Sequence, residues 1–191
     1  SVEILGMNVA SHLTKDIRNA GVAYIPQDRQ RDGLLMTAPL WENRILGHQF
    51  NSPMAKSIWV NKSAAVEGSK SIVAEFDVRT PGINVLASAL SGGNQQKFIV
   101  GRELSGDPKI IVAAQPTRGV DVGAQAIIWD HLVQARSKGA GILLVSADLE
   151  ELFSLSDRIA VIYNGSIVSI LNPRETSPEQ LGLAMTGASR A

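Results

Sequence analysis

Three short runs rich in β-branched residues constrain this chain most: GVAYIPQ (21–27), DPKIIVAA (107–114) and AGILLVSA (140–147). Each is too short for a helix and too apolar for a surface loop, so each reads as a buried strand. Helical patterns separate them. Ser91 caps a helix through QQKFIVGRELSG. Ala124 to Lys138 sets Ile127, Ile128, Leu132 and Val133 on one side. Strands joined through helices imply an α/β fold with a mostly parallel sheet and helices on both faces. Asn164-Gly165 between DRIAVIY and SIVSIL predicts a hairpin. DLEELFSLS and SPEQLGLAMTG predict two further helices, the second capped at Ser177. Near the start, SVEILG alternates like a strand, and Ser11 to Ala20 predicts a short helix stopped at Gly21. Residues 37 to about 80 read as helical, QDRQRDG as a polar loop, and TPGINV as a turn or extended link. No strand of the buried kind falls between 37 and 98. That stretch reads as a helical lobe inserted into an α/β core made of 1–36 and 99–191.

Composition narrows the function classes. With 18 Lys+Arg against 18 Asp+Glu, the 191 residues carry no formal net charge. Bulk charge does not drive the chain onto a nucleic-acid backbone or an anionic membrane. Cysteine is absent, which excludes disulfides and thiolate metal sites and fits a cytosolic setting. No run approaches the roughly 18 apolar residues of a membrane span, and SVEILGMNV lacks the basic start and apolar core of a signal peptide.

LSGGNQQK (90–97) is the most specific string. Two glycines just inside a helix start, behind a serine cap, leave backbone N–H groups open to an anion. The helix dipole adds to their pull. Taken alone the string also reads as a plain capped helix with a tight entry. Its setting decides. LSGGNQQK resembles the signature motif of the ATP-binding-cassette ATPases, and four other stretches follow that family's order. YIPQDR resembles its Q-loop. IIVAAQPTRGVD resembles its Walker B strand, catalytic acid and D-loop. LLVSADLEEL resembles the strand that ends in a switch histidine, and SDRIAVIYNGSIV the closing hairpin. NQQK, PTRGVDVGA and PQDRQRDGL resemble the second ATPase half of tandem importers for simple sugars and nucleosides. AAQPTRG and VSAD resemble the nucleoside branch.

The resemblance implies a P-loop NTPase core with an inserted signature lobe, and ATP with Mg²⁺ as cofactors of the full assembly. It assigns Ser91, Gly92, Gly93 and Gln95 to nucleotide binding. Gln27 becomes a γ-phosphate sensor with a weak claim on Mg²⁺, and Asp121 the D-loop acid, for which a turn or helix cap is the plain alternative. It also exposes departures. The family's Mg²⁺-anchoring aspartate, catalytic glutamate and switch histidine correspond to Ala114, Gln115 and Ala147. No G-x-x-x-x-G-K-[ST] occurs. The resemblance thus implies that these 191 residues start after the phosphate loop, with the N-terminal part of the core absent. A sheet without that interior strand is expected to be incomplete or compensated. Such a chain is expected neither to bind ATP tightly nor to hydrolyse it alone. It would lend its signature to the first ATPase half of the same transporter. Its helical lobe and Q-loop would meet membrane permease subunits at the inner face of the cell membrane, and nucleic acid is not expected as a partner. Two alternatives stay open at this level: a soluble non-transport ATPase of the same family, and a regulatory module that binds no nucleotide. His12, His48 and His131 read as surface or interface residues. Trp41, Trp59 and Trp129 read as packing residues, with Trp41 also a candidate to face a membrane partner.

Overall fold

The computed structural model describes residues 1–187. The chain divides into a unit of Ser1–Leu143 and a second unit beginning at Leu144. This boundary is not the division into 1–36 plus 99–191 and 37–98 that the sequence patterns draw.

The first unit is built on the expected strands. β3 (Val22–Ile25) and β6 (Ile110–Ala114) pair in parallel, with Ile25 opposite Ala113, and β7 (Gly141–Val145) extends the sheet in the order β3-β6-β7. Ala23, Ile25, Ile111 and Ala113 form one face and are almost fully buried. Alternation sends Tyr24 and Val112 to the other face. That face is thinly covered: Tyr24 is 45% exposed, and Leu143 on β7 59%. Helix α4 (Gly92–Leu104) packs against β3 and against α5 (Val122–Ser137). Its Phe98, Ile99 and Val100 lie in the core.

Three helices of this unit begin where side-chain acceptors meet their open N–H groups. Ser91 caps α4, accepting from Asn94 N. Asp121 caps α5, accepting from Ala124 N. Asn61 caps α3 (Lys62–Glu75).

The stretch from 37 to 80 is less helical than its composition predicts. Only α2 (Leu40–Asn43) and α3 are helical. Between them β4 (Ala55–Lys56) and β5 (Trp59–Val60) close a small antiparallel hairpin. Pro53 bars a continuous helix there, and Ser57 takes a left-handed φ of 57° at the turn. TPGINV is tied to the entry of α2, where Leu40 N donates to Val85 O and Trp41 N to Ile83 O. SVEILG is not one strand. β1 (Glu3–Ile4) turns back on β2 (Met7–Asn8) through Leu5 and Gly6, both at positive φ. Helix α1 covers only Thr14–Asn19. The polar loop QDRQRDG holds a π-helical turn over Arg29–Gly33, capped by Asp28.

One aromatic reading is corrected. Trp59 is 73% exposed at the hairpin, not packed. Trp41 carries the Lys62 ammonium 4.8 Å from its ring centre. His131 stacks on Phe76 at 3.8 Å, and His48 is half-buried.

In the second unit, α6 (Leu149–Leu155) is capped by Asp148. β8 (Ile159–Tyr163) and β9 (Ser166–Leu171) pair around Asn164-Gly165, both at positive φ, as the hairpin signal requires. α7 (Pro178–Met185) starts in a reciprocal capping box of Ser177 and Gln180. Ile159, Val161, Leu181 and Ala184 form this unit's small core.

Candidate functional site

Parallel strands deliver their C-terminal ends to one edge of the sheet, where open α/β sheets place their ligands. The Ile25–Ala113 rung brings Gln27 and Gln115 to that edge, each two residues past it. Gln27 follows Pro26 and is exposed. Gln115 is half-buried and takes a left-handed φ of 51°. Only a forced turn holds a glutamine there. Neither Ala114 nor Gln115 offers a carboxylate to a metal. Among the described residues no group of three or more His, Asp or Glu side chains converges to hold one. Ala147 lies in the second unit, two residues past β7, and is exposed.

The signature is the better-built part. Ser91 is exposed at the start of a 13-residue helix, and its Oγ accepts from both Asn94 N (3.4 Å) and Asn94 Nδ2 (3.0 Å). Asn94 in turn accepts from Arg79 N at 2.9 Å, and Lys97 is bonded to Asp77. The helix start is thus fastened to the stretch that follows α3. Gln95 faces inward: it is 2% exposed, and its amide donates to Ala87 O (3.1 Å) and Leu90 O (3.2 Å). It braces the loop before the signature from inside and offers nothing to a ligand outside. The open N–H groups of Gly92 and Gly93, the Ser91 hydroxyl and the helix dipole make a donor set that fits a phosphate group.

Asp121 joins this site from α5. Its Oδ1 accepts Ala124 N at 2.9 Å, and its Oδ2 lies 3.1 Å from where a Cβ on Gly93 would sit. The Ala124 N–H bond, with help from further backbone N–H groups and Lys97, holds the Asp121 carboxyl below its usual range. The helix-cap reading of Asp121 is therefore correct in this fold, and the carboxylate also borders the signature.

Sequence reasoning missed Arg29, which reads as one charge in a solvated run. In the fold its guanidinium crosses from the π-helical turn to the Arg118 carbonyl (2.8 Å) and the Gly119 carbonyl (3.5 Å), over Gly92. No spacing in QDRQRD marks Arg29 apart from Arg31, which points to Asp32 and solvent.

No family model matches the chain. Individual proteins do. It is 40% identical over 190 residues to the guanosine import ATP-binding protein NupO of Bacillus subtilis (strain 168), covering 100% of this chain and 37% of that protein. It is 38% identical over 189 residues to the nucleoside import ATP-binding protein NupA of Lactococcus lactis subsp. cremoris (strain MG1363), covering 99% of this chain and 37% of that one. A third relative, the glucose import ATP-binding protein TsgD13 of Haloferax volcanii, is 38% identical over 175 residues, or 90% of this chain and 32% of its own length. The chain thus spans about a third of the length of these relatives. Among solved structures, the dimeric post-hydrolysis state of the ATP-binding cassette MJ0796 bound to ADP and Pi superimposes with a TM-score of 0.74. It covers 91% of this chain and 73% of that one at 21% identity. The ADP conformation of MJ1267, an ATP-binding cassette of an ABC transporter, gives a TM-score of 0.67 over 95% of this chain and 70% of that one, at 22% identity. At such identities the structural likeness speaks for the fold, and the sequence likeness for the type. By fold the chain is an ATP-binding cassette, and over its whole length its sequence is similar to stretches of the ATP-binding proteins of nucleoside and sugar importers.

Proposed function

We propose that this chain is the signature-bearing stretch of the second ATPase half of a nucleoside or simple-sugar importer. It lends Ser91, Gly92 and Gly93 to a nucleotide held by the first half, while its own strand edge stays hydrolytically silent. One observation carries the reading, an asymmetry within the site. The signature helix start is capped, braced from inside by Gln95 and open to solvent at Ser91. The strand edge beside Gln27 presents Ala114 and a strained Gln115, with no acid to hold Mg²⁺ or to take a proton from water. The dimeric ADP-bound cassette with this fold supports a paired arrangement. The importer names of the relatives support transport of a nucleoside or sugar.

In this reading the Ser91 hydroxyl and the Gly92 and Gly93 amides hold the terminal phosphate of ATP across the pair. ATP with Mg²⁺ supplies the free energy of the transport cycle, bound by the phosphate loop of the partner half. Gln27 and the stretch 37–98 act as the lobe that meets the permease at the cytoplasmic face of the membrane. No helix among the described residues is long and apolar enough to cross the membrane. Asp121 borders the pair interface from the D-loop.

The test is ATP turnover and uptake in the reconstituted transporter. Ser91→Arg and Gly92→Asp are expected to abolish both, since each puts bulk, and the second also negative charge, against open helix amides. Gln115→Ala is expected to leave most of both. Comparable damage from Gln115→Ala and Gly92→Asp would overturn the reading. For the 191-residue chain alone, calorimetry is expected to show no micromolar ATP binding, because the phosphate loop is absent from these residues.

A further inference from the structure

We propose that Arg29 is a positioning residue for the signature. Its guanidinium sets the spacing between the start of α4 and the turn that leads into α5, and residue 92 is glycine because that guanidinium occupies the space a side chain would need. The proposal rests on the reading of Ser91–Gly93 as a nucleotide-facing signature.

The geometry comes from three segments meeting at one side chain. Asp28 Oδ1 accepts the N–H groups of Gln30 and Arg31, both at 3.1 Å, which fixes the π-helical turn and the launch point of Arg29. From there Nη1 donates to Arg118 O at 2.8 Å and Nη2 to Gly119 O at 3.5 Å. The same Nη2 lies 2.6 Å from where a Cβ on residue 92 would sit, with Cζ at 3.2 Å and Nε at 3.5 Å. Arg29 Nε is buried and has no hydrogen-bond partner. A desolvated donor is unfavourable. The group is nevertheless wedged in place, so it is the packing and the two carbonyl bonds that hold it there.

The consequence runs through the turn. Within residues 115–121 two backbone bonds run, Arg118 N to Gln115 O (3.1 Å) and Val120 N to Thr117 O (3.3 Å). Arg29 ties that turn to the Q-loop side. Asp121, at its far end, stands against Gly93. The two signature glycines are therefore flanked by two groups of opposite charge, both registered on the same turn. A planar fork can hold two neighbouring carbonyls and stay thin enough to lie over a glycine; an ammonium cannot do both. Removing Arg29 leaves the signature helix capped and folded but free to shift against the turn. A misplacement of about 1 Å costs on the order of a hundredfold in rate when a site must meet a partner's reacting group.

If Gly92 is needed only so that a phosphate can approach, Gly92→Ala and the loss of Arg29 act independently. If Gly92 makes room for Arg29, the two act as one. The experiment is a double-mutant cycle in the reconstituted transporter with Arg29→Gln, Gly92→Ala and both together. Each single change is expected to lower kcat about tenfold or more while KM moves less than about twofold, and the double variant to be no worse than the poorer single. Arg29→Lys is expected to recover little. Losses that multiply in the double variant, or an Arg29→Gln variant with wild-type kcat, overturn the proposal. A second arm uses the 191-residue chain and asks nothing of transport. Arg29→Gln is expected to raise amide exchange at Arg118 and Val120 about tenfold, with an unchanged melting midpoint. Unchanged exchange at both overturns the positioning role. Gly92→Asp separates the two levels: if it keeps full turnover, the signature reading falls and takes this proposal with it. If Gly92→Asp is dead while Arg29→Gln is unaffected, only Arg29's role falls.

Discussion

The Asp121 carboxylate stands against Gly93: one oxygen accepts Ala124 N at 2.9 Å, and the other lies 3.1 Å from where a Cβ on residue 93 would be. One side chain thus caps α5 and fixes how closely α5 approaches the signature. Ala124 closes the same gap, its Cβ 3.2 Å from that position. Asp121→Ala removes both the cap and the spacer and is expected to lower the urea midpoint. Asp121→Asn keeps a good cap and is expected to lower it less. The depressed carboxyl of Asp121 adds a pH signature. The charge-dependent part of its stabilising contribution is present above the ordinary carboxylate range and is lost as pH falls through its lowered value, so the gap between the parent and each variant is expected to narrow in acid.

Below the sheet edge, Glu103 organises a buried charge cluster. Its Oε2 accepts from Arg18 Nη1 (3.0 Å) and Tyr24 N (3.2 Å), and its Oε1 pairs with Arg102 (3.0 Å). Burial alone would push the Glu103 carboxyl up; Arg102, Arg18 and the Tyr24 N–H together outweigh it and hold the group below its usual range. Arg102 also donates to Gly33 O and Asn43 O, so the cluster joins α4 to the end of the π-helical turn and to α2. Glu103→Gln leaves a fully buried guanidinium without its counter-charge. It is expected to cost about 3–5 kcal/mol of unfolding free energy, measured by urea titration at neutral pH. A loss below about 1 kcal/mol would show that the cluster is solvated and contributes little.

His48 predicts how the same region responds to acid. Burial, reinforced by Arg44, Arg18 and Arg102, lowers its pKa to about 4, although Glu103 pulls the other way. The unfolded chain binds the proton near pH 6.5, the folded one only near 4. The unfolded state therefore holds more protons between those values, and stability falls as pH drops from 6.5 toward 4. The shift corresponds to about 3 kcal/mol, and partial solvent access trims it to about 1–3 kcal/mol. Urea midpoints of the parent are expected to fall across that window, and those of His48→Leu to fall clearly less. Parallel pH profiles would assign the acid sensitivity elsewhere.

What could be read from residues alone follows from the range of the forces involved. The parallel strands, the α4, α5 and α7 caps and the Asn164-Gly165 hairpin are set by neighbours within a few positions, so periodicity and cap chemistry expose them. The resemblance picked out Gln27 and Gln115 separately; the parallel register of β3 and β6 is what brings both to one sheet edge. Arg29 could not be found this way. Its partners are 89 and 90 positions away, and nothing local distinguishes it from Arg31. The β4–β5 hairpin was hidden for a different reason: Ala55, Lys56, Trp59 and Val60 are too few to show a period of two, and the small residues around them mimic a helix. The resemblance assigns Gln95 to nucleotide binding; only the Ala87 and Leu90 carbonyls, brought under the helix start by the fold, show its side chain turned inward.

The last prediction concerns the silent edge. Ala114→Asp with Gln115→Glu restores the two acids that a magnesium site and a water-polarising base require. Acids alone do not rebuild the site. Residue 115 stays at a φ of 51°, a left-handed conformation that glutamate tolerates no better than glutamine, and position 147 still presents alanine. Two carboxylates at neighbouring positions with no bound cation also repel one another and lose hydration at a half-buried edge. The double variant is therefore expected to unfold at a lower urea concentration than the parent. In the reconstituted transporter it is expected to leave ATP turnover no higher than the parent's, since positioned acid–base groups contribute about 10²–10⁴ only when the rest of the site is in place. Turnover that doubles together with uptake would mean that this edge binds Mg²⁺ and nucleotide in the assembled protein, and Gln115 would then have to be placed among the working catalytic residues.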